Sequence, residues 1–304
     1  MAETILILSD RADRQVRQLH SSLEGLGFDV LALHLADIAF NTSYASGIAI
    51  PGMHGALPAG VIVRSISSGS FEAITRRLGV LHAFAQMGVP VWNSAKAIER
   101  CVDKSTTTFL LAQAGLPTPQ TFAVESLANA KAVAERELAH GPLVLKPLFG
   151  SQGKGLRLIR GMEDLPQPDE VDDVYYLQRF VAHSGPPFCD YRVFTCAGEV
   201  LGMIARRADS WITNMAKGAK AEAVIGPLRS TLESLALAAS TAIGTDFAGI
   251  DIIPAADGRL LVLEVNSMPA WTGLQSVVHV KIADCIANAL AAQVAPELAE
   301  RPAA

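Results

Sequence analysis

One stretch constrains this chain more tightly than any other: Gly249 to Pro269, GIDIIPAADGRLLVLEVNSMP. Two apolar runs, Ile252-Ile253 and Leu260 to Leu263, flank Pro254-Ala255-Ala256-Asp257-Gly258, and Asp-Gly is a favoured dipeptide for a two-residue type I′ hairpin turn. A turn of that kind at Asp257-Gly258 pairs the strands so that Asp251 stands directly opposite Glu264. Asn266, two residues past Glu264, falls on the same face. Like charges opposed on a strand pair are unfavourable unless something neutralises them. A hard divalent cation answers that need, because Mg²⁺ takes one or two carboxylates and completes its shell with water and phosphate oxygens. The plainer alternative is a solvent-facing carboxylate pair on an edge hairpin.

The first 92 residues read differently. Thr4 to Leu8 is a short β-rich apolar run, Arg11 to Leu26 carries leucines at helical spacing, and Phe28 to Leu33 is apolar again. Gly60 to Val63 leads through a Gly/Ser-rich loop into the helical pattern Phe71 to Met87, and Val89 to Trp92 follows Gly88. Strands alternating with helices point to an open parallel sheet. No GxGxxG follows the first strand, so nothing marks a dinucleotide site. Asn93 to Pro119 is helical in pattern and stops at Gly115, Pro117 and Pro119. Beyond it short strands dominate: Leu143 to Lys146, Leu156 to Ile159, Tyr175 to Val181, Tyr191 to Cys196, Glu199 to Arg206, Ala248 to Ile253 and Leu260 to Val265.

Composition narrows the partners. The chain has 304 residues, half of them apolar, which suffices for a buried core in two or three modest domains or in one long continuous α/β enzyme. With 18% charged residues and a net charge of −5 there is no basic field for nucleic-acid binding. No apolar run approaches the roughly 20 residues of a bilayer span, and the N-terminus lacks the basic start and length of a secretory signal, so a cytoplasmic protein without membrane contact is expected. Cys101, Cys189, Cys196 and Cys285 show no metal spacing and read as free thiols. His54, His82, His183 and His279 read as structural or surface residues, and Trp92, Trp211 and Trp271 as packing or pocket wall.

Two further clusters carry chemistry. In PLVLKPLFGSQGKG, Pro142 to Gly155, a strand delivers Lys146 and a loop with Gly150, Gly153 and Gly155 follows; such a backbone can fold over phosphates while the lysine supplies charge. It is not a Walker A loop, and it also reads as a simple hairpin turn. Lys104, within Arg100 to Lys104, reads either with it or as a solvated helix residue. In Cys189 to Ala219, Asp190 and Arg192 share one face of a strand, and Arg206 and Arg207 end its neighbour across an Ala197-Gly198 turn. Paired arginines offer forked donors to carboxylates or phosphoryl groups, or else make a surface ion pair. Asn214, Lys217 and Gly218 follow in a polar loop.

Taken in order, Asn93-Ser94, Asp103-Lys104, Gly115 to Pro119, Lys146-Pro147, Gly150 to Gly155, Asp190-Tyr191-Arg192, Arg206-Arg207, Thr213-Asn214, Gly249-Ile250-Asp251 and Glu264-Val265-Asn266 resemble the motif series of the ATP-grasp superfamily, and more narrowly the RimK-like α-L-glutamate ligases. The resemblance runs from about Asn93 to about Gln293. It implies an α/β and α+β protein with an N-terminal open parallel-sheet (pre-ATP-grasp) domain over 1–92, a small lid subdomain with linker helices over 93–178, and a metal and substrate subdomain over 179–304. It further implies Lys104 and Lys146 on the phosphates of ATP, and Gly150, Ser151, Gln152, Gly153 and Gly155 as a lid. Gln178, Arg179, Phe180 and Val181 would bound the adenine, Asp190 and Asn214 would help hold the nucleotide, and Asp251, Glu264 and Asn266 would hold Mg²⁺ or Mn²⁺. Arg192, Arg206 and Arg207 become the candidate catalytic cations. The family often has Glu-Tyr where this chain has Arg179-Phe180, and the run Ala216 to Ala219 departs from its usual pattern.

The activity so implied is ADP-forming: a carboxylate attacks the γ-phosphoryl of ATP and an amine captures the acyl phosphate as an amide. The amine would be L-glutamate or a similar amino acid; the acceptor, a protein C-terminus or a pterin or deazaflavin tail. Alternatives within the resemblance are a D-alanine or glutathione-synthetase-like peptide ligase and a regulatory ATP-binding module without turnover. Relatives are often dimers or tetramers, so a homo-oligomer is compatible with it. The Gly/Ser segments Ser43 to Gly55 and Ser65 to Ser70 could line the acceptor pocket.

Overall fold

A computed structural model describes residues 3–150, 153–182 and 185–295. Ser151, Gln152 and His183 lie outside the described residues. The chain divides into two compact units, one grouping Met1–Ile98 with Thr245–Ala248 and Ser267–Ala304, the other grouping Glu99–Gly244 with Gly249–Asn266. By contacts the segment after Asn266 groups with the N-terminal unit.

In the first unit, strands Thr4–Leu8, Asp29–Leu33, Gly60–Val63 and Val91–Trp92 form a parallel sheet with Thr4–Leu8 between Asp29–Leu33 and Gly60–Val63. All four residues Ile5 to Leu8 are fully buried, as expected of a parallel strand covered on both faces. Helix Arg14–Gly25 starts where Asp13 accepts the Val16 N–H, and it packs against helix Ile282–Val294. Ser70 caps helix Phe71–Gln86 in the same way. The open parallel sheet expected for this region is what the chain forms.

The second unit holds two antiparallel-paired sheets. Thr121–Glu125, Val174–Arg179, Leu143–Lys146 and Arg157–Ile159 make one, backed by helix Leu127–Glu137. Lys220–Ala223, Glu199–Ala208, Phe188–Cys196, Phe247–Pro254 and Leu260–Asn266 make the other, in that order, with helix Leu228–Ile243 packed on it. The helical pattern from Asn93 to Pro119 is two helices, Ala95–Val102 and Lys104–Gln113, not one. The break is Asp103, whose carboxylate accepts the N–H groups of Ser105 and Thr106 and so starts a fresh helix. Among the described residues, no helix is long and apolar enough to cross a membrane.

Candidate active site

The site is set by where two strand pairs place their charges. Asp251 and Glu264 are direct partners, as the hairpin reading required, and Gly249 pairs with Asn266. The turn differs from the expectation. Ala255 N–H donates to Arg259 O at 2.8 Å and Gly258 adopts φ +85°, so three residues, Ala256 to Gly258, form the loop. That geometry shortens the register by one near the turn, and an irregularity between Asp251 and Ile252 restores it. Asn266 lies on the Glu264 face and donates Nδ2 to its Oε1 at 3.0 Å.

Asp251 is neutralised by side chains. Arg192 grips it with Nε and Nη2, at 2.6 and 2.5 Å, and Arg206 adds Nη2 at 3.0 Å. Burial alone would raise its pKa, but Arg192 and Arg206 outweigh burial and hold it at about 2. Arg206 in turn makes a forked pair with the buried Asp190, its direct partner across the strands. Burial opposes the charge of Arg206, yet Asp251 and Asp190 together keep its pKa above the usual arginine value. The like-charge argument for a cation is therefore met in part by arginine. Oxygen donors remain: Glu264 has its nearest cation, Arg192, at 3.9 Å, and Asn266 engages only its Nδ2, with Gly249 O and Glu264. Hard oxygen atoms on adjacent strands, with Glu264 still 31% exposed, suit a hard cation.

Two lysines face this cluster. Lys146 donates to Gln178 Oε1 at 2.7 Å, and Gln178 Nε2 is taken up by Thr121 and Tyr176, whose hydroxyl lies 2.7 Å from Thr108 Oγ1. Gln178 is thus committed to aiming Lys146. Burial pushes Lys146 down to about 8, against the pull of Glu264 and with Lys104 adding to the shift. Lys104, also lowered by burial, donates to Leu148 O and Gly150 O at 3.2 and 2.8 Å and so ties down the start of the glycine loop. Gly153, at φ +65°, leaves no room for a Cβ, which would lie 2.8 Å from Asn214 Oδ1.

Most of these side chains line one cleft, open to solvent, within the second unit. Lys104, Lys146, Gly150, Gly153, Gln178, Arg179, Phe180, Val181, Asp190, Arg206, Asn214, Asp251 and Glu264 all contribute to its wall. Val144, Leu156, Trp211, Ile212, Ile253 and Leu263 give the apolar part. Lys104, Lys146, Lys154 and Arg206 against Asp190, Asp251 and Glu264 leave the lining net positive by one, which favours a polyanion over a bare cation. The mixed apolar and charged lining suits a ligand that carries both a flat apolar ring and phosphates.

Arg192 and Asn266 are not in the cleft wall themselves and reach it through Asp251 and Glu264, and other expected residues behave differently again. Arg207 alternates to the opposite strand face and pairs with exposed Glu222 at 2.7 Å, so it is not brought to the cleft. The Arg179 guanidinium turns to Glu137, with Nε at 3.0 Å and Nη2 at 2.6 Å. Gly155 is absent from the cleft wall; it turns at φ +71° beside Pro147. Tyr176 was missed, though strand alternation from Gln178 identifies its face.

The comparisons agree with this geometry. The RimK-like ATP-grasp domain profile matches residues 101–290. The tetrahydromethanopterin:α-L-glutamate ligase of Methanosarcina acetivorans is 30% identical, with 88% of this chain and 92% of that protein aligned. The α-aminoadipate–LysW ligase LysX of Saccharolobus solfataricus is 34% identical over 61% of this chain and 68% of its own. The ATP-grasp ligase PsnB, solved with a minimal precursor, Mg and ADP, superposes with a TM-score of 0.69 at 21% identity over 96% of this chain and 98% of that one, a likeness of fold. Profile, relatives and fold converge: the chain belongs to the RimK-like ATP-grasp family of ATP-dependent carboxylate–amine ligases.

Proposed function

We propose that this ligase adds L-glutamate to a carboxylate-ended tail of a pterin-like cofactor, with ATP and Mg²⁺ bound in the cleft of the second unit. The observation that carries the reading is the cleft itself, where Lys104 and Lys146 face Asp251 and Glu264. The similarity to a tetrahydromethanopterin ligase along nearly its full length supports the acceptor class.

In this reading Lys104 and Lys146 lie on the phosphates, beside Gly150 and Gly153. Trp211, Phe180 and Ile212 flank the base, and main-chain groups of Arg179 to Val181 read its edge. Glu264 and Asn266, with Asp251 behind them, would hold Mg²⁺, which when bound neutralises charge on the phosphoryl oxygens. The acceptor carboxylate oxygen attacks the γ-phosphorus and ADP leaves, giving an acyl phosphate. The amine nitrogen then attacks the carbonyl carbon, phosphate departs, and a proton is lost from nitrogen to give the amide. Arg206 and Arg192, fixed by Asp190 and Asp251, present positive charge to the acyl phosphate and to the oxyanion that follows.

The test is incubation with ATP, Mg²⁺ and L-glutamate against single acceptors, reading ADP, phosphate and acceptor mass. One added glutamyl unit with equimolar ADP supports the assignment. ATP bound without phosphate release for every acceptor would favour the regulatory module.

A further inference from the structure

The parallel sheet of the first unit reverses its winding at one place. The chain runs from Thr4–Leu8 to Asp29–Leu33 on one side, then to Gly60–Val63 on the other. The crevice beyond the carboxyl ends of Leu8 and Val63 is where open α/β sheets receive ligands. Arg64 sits there, its N–H donating to Leu8 O at 2.8 Å.

Arg64 is only 9% exposed and has no carboxylate partner among the described residues. Its Nη2 donates to Gln15 Oε1 at 2.9 Å and to Pro269 O at 3.1 Å, and the guanidinium lies 4.5 Å from the Trp271 ring centroid. Nε has no acceptor. Gln15, 5% exposed and in the first turn of helix Arg14–Gly25, must turn its oxygen to Arg64, because arginine only donates; its Nε2 is then left without an acceptor. Asp13, the acid whose charge acts on Arg64, is occupied in capping the helix. Burial lowers the Arg64 pKa to about 10, against the pull of Asp13, so the group stays charged at neutral pH. A buried cation with idle donors, beside an amide with idle donors, is expensive for a fold to keep.

We propose that Arg64 and Gln15 form an anion subsite in the first unit that holds a carboxylate of the acceptor molecule. The anion's identity as acceptor rests on the ligase reading above; the existence of the subsite does not. Arg64 Nε and Gln15 Nε2, both closed off from solvent in this conformation, are the two donors that the oxygens of one carboxylate would take.

Trp271 reports on the site. The protein is labelled with 5-fluorotryptophan, its three ¹⁹F resonances are assigned through Trp92→Phe and Trp211→Phe, and N-acetyl-L-glutamate is titrated without ATP. The Trp271 resonance should shift saturably with this probe and stay still with the matching neutral diamide. Arg64→Met should weaken the response about ten-fold or more, and Gln15→Met several-fold, the latter carrying the test should Arg64→Met not fold. A stationary resonance, an equal shift with the diamide, or a response to inorganic phosphate alone would overturn the proposal. In the ligase assay Arg64→Met should raise KM for the acceptor and leave KM for ATP unchanged. If no acceptor is turned over, the ligase reading fails, while the fluorine titration still decides the subsite.

Discussion

Arg192 and Asp251 meet through two parallel bonds, Nε to Oδ1 at 2.6 Å and Nη2 to Oδ2 at 2.5 Å, and Arg206 adds a third from the side. Asp251 is thereby the shared counter-ion of two arginines, and a metal would have to share it with them. Asp251→Asn leaves both guanidiniums short of charge. Breaking a buried pair of this kind costs roughly 3–5 kcal/mol, so a urea melt of this variant should show that loss together with lost turnover. Glu264→Gln is the contrasting change, because Glu264 is partly exposed and its nearest cation is 3.9 Å away. Its unfolding free energy should stay within about 0.5 kcal/mol of the parent while ADP release is abolished. Retained turnover would sink the metal assignment.

Arg206 and Arg207 are neighbours in sequence and opposites in the fold. Arg206 is 2% exposed against Asp190 and Asp251, and Arg207 is 43% exposed against Glu222. Arg207→Ala should change kcat less than about two-fold and stability by less than about 1 kcal/mol, the ordinary worth of a surface pair. Arg206→Met should abolish ADP release. Steady-state assays of the two variants side by side decide it, and equal losses would show that Arg207 reaches substrate after all.

Lys146 gives activity and stability opposite pH dependences. Its folded pKa of about 8 lies below the unfolded lysine value near 10.4, so between these the unfolded chain holds the extra proton. Stability from this group is therefore lower below pH 8 and rises as pH climbs through the window. Phosphate binding needs the charged form, so kcat/KM for ATP should fall above about pH 8. Lys146→Arg should remove the alkaline fall, and Lys146→Met should flatten the stability rise. A profile unchanged in Lys146→Arg would assign the titration elsewhere.

The parallel unit was legible because a buried parallel strand is an uninterrupted apolar run, and Thr4 to Leu8 and Gly60 to Val63 stop where the pattern stops. The Asp251–Glu264 pairing was also legible, but for an incomplete reason: a three-residue loop and a compensating irregularity together return the register of the simpler turn. In the next hairpin an irregularity between Phe194 and Thr195 puts Asp190 opposite Arg206; uninterrupted pairing from Cys196 and Glu199 would have set Ala205 there. Such bulges depend on sheet strain and packing, and no local residue announces them. The pairing of the Arg179 guanidinium with Glu137 was not legible for a related reason, since Glu137 lies on a helix 42 positions away. Arg64 gave no signal because a single arginine after an apolar run means nothing until its burial and missing counter-ion are known.

Asn93 and Asp246 test the join within the first unit. Asn93, 1% exposed, donates to Phe247 O and Ser267 O at 2.6 and 2.5 Å and accepts from the N–H groups of Asp246 and Phe247, so one amide stitches two returning segments to the end of Val91–Trp92. Asn93→Leu strands those backbone groups, at about 1–3 kcal/mol for each left unsatisfied, and should lower Tm at every pH. Asp246 behaves in the opposite way. Burial raises its pKa to about 6, against hydrogen bonds from its own backbone and from Ser94. The folded protein then holds a proton that the unfolded chain releases near pH 4, so stability falls as pH rises from about 4 to 6 and stays reduced above. Asp246→Asn removes that penalty. Thermal melts should show the variant more stable than the parent at pH 7.5 and equal to it at pH 3.5. An equal difference at both pH values would mean that the carboxylate is not the group that titrates.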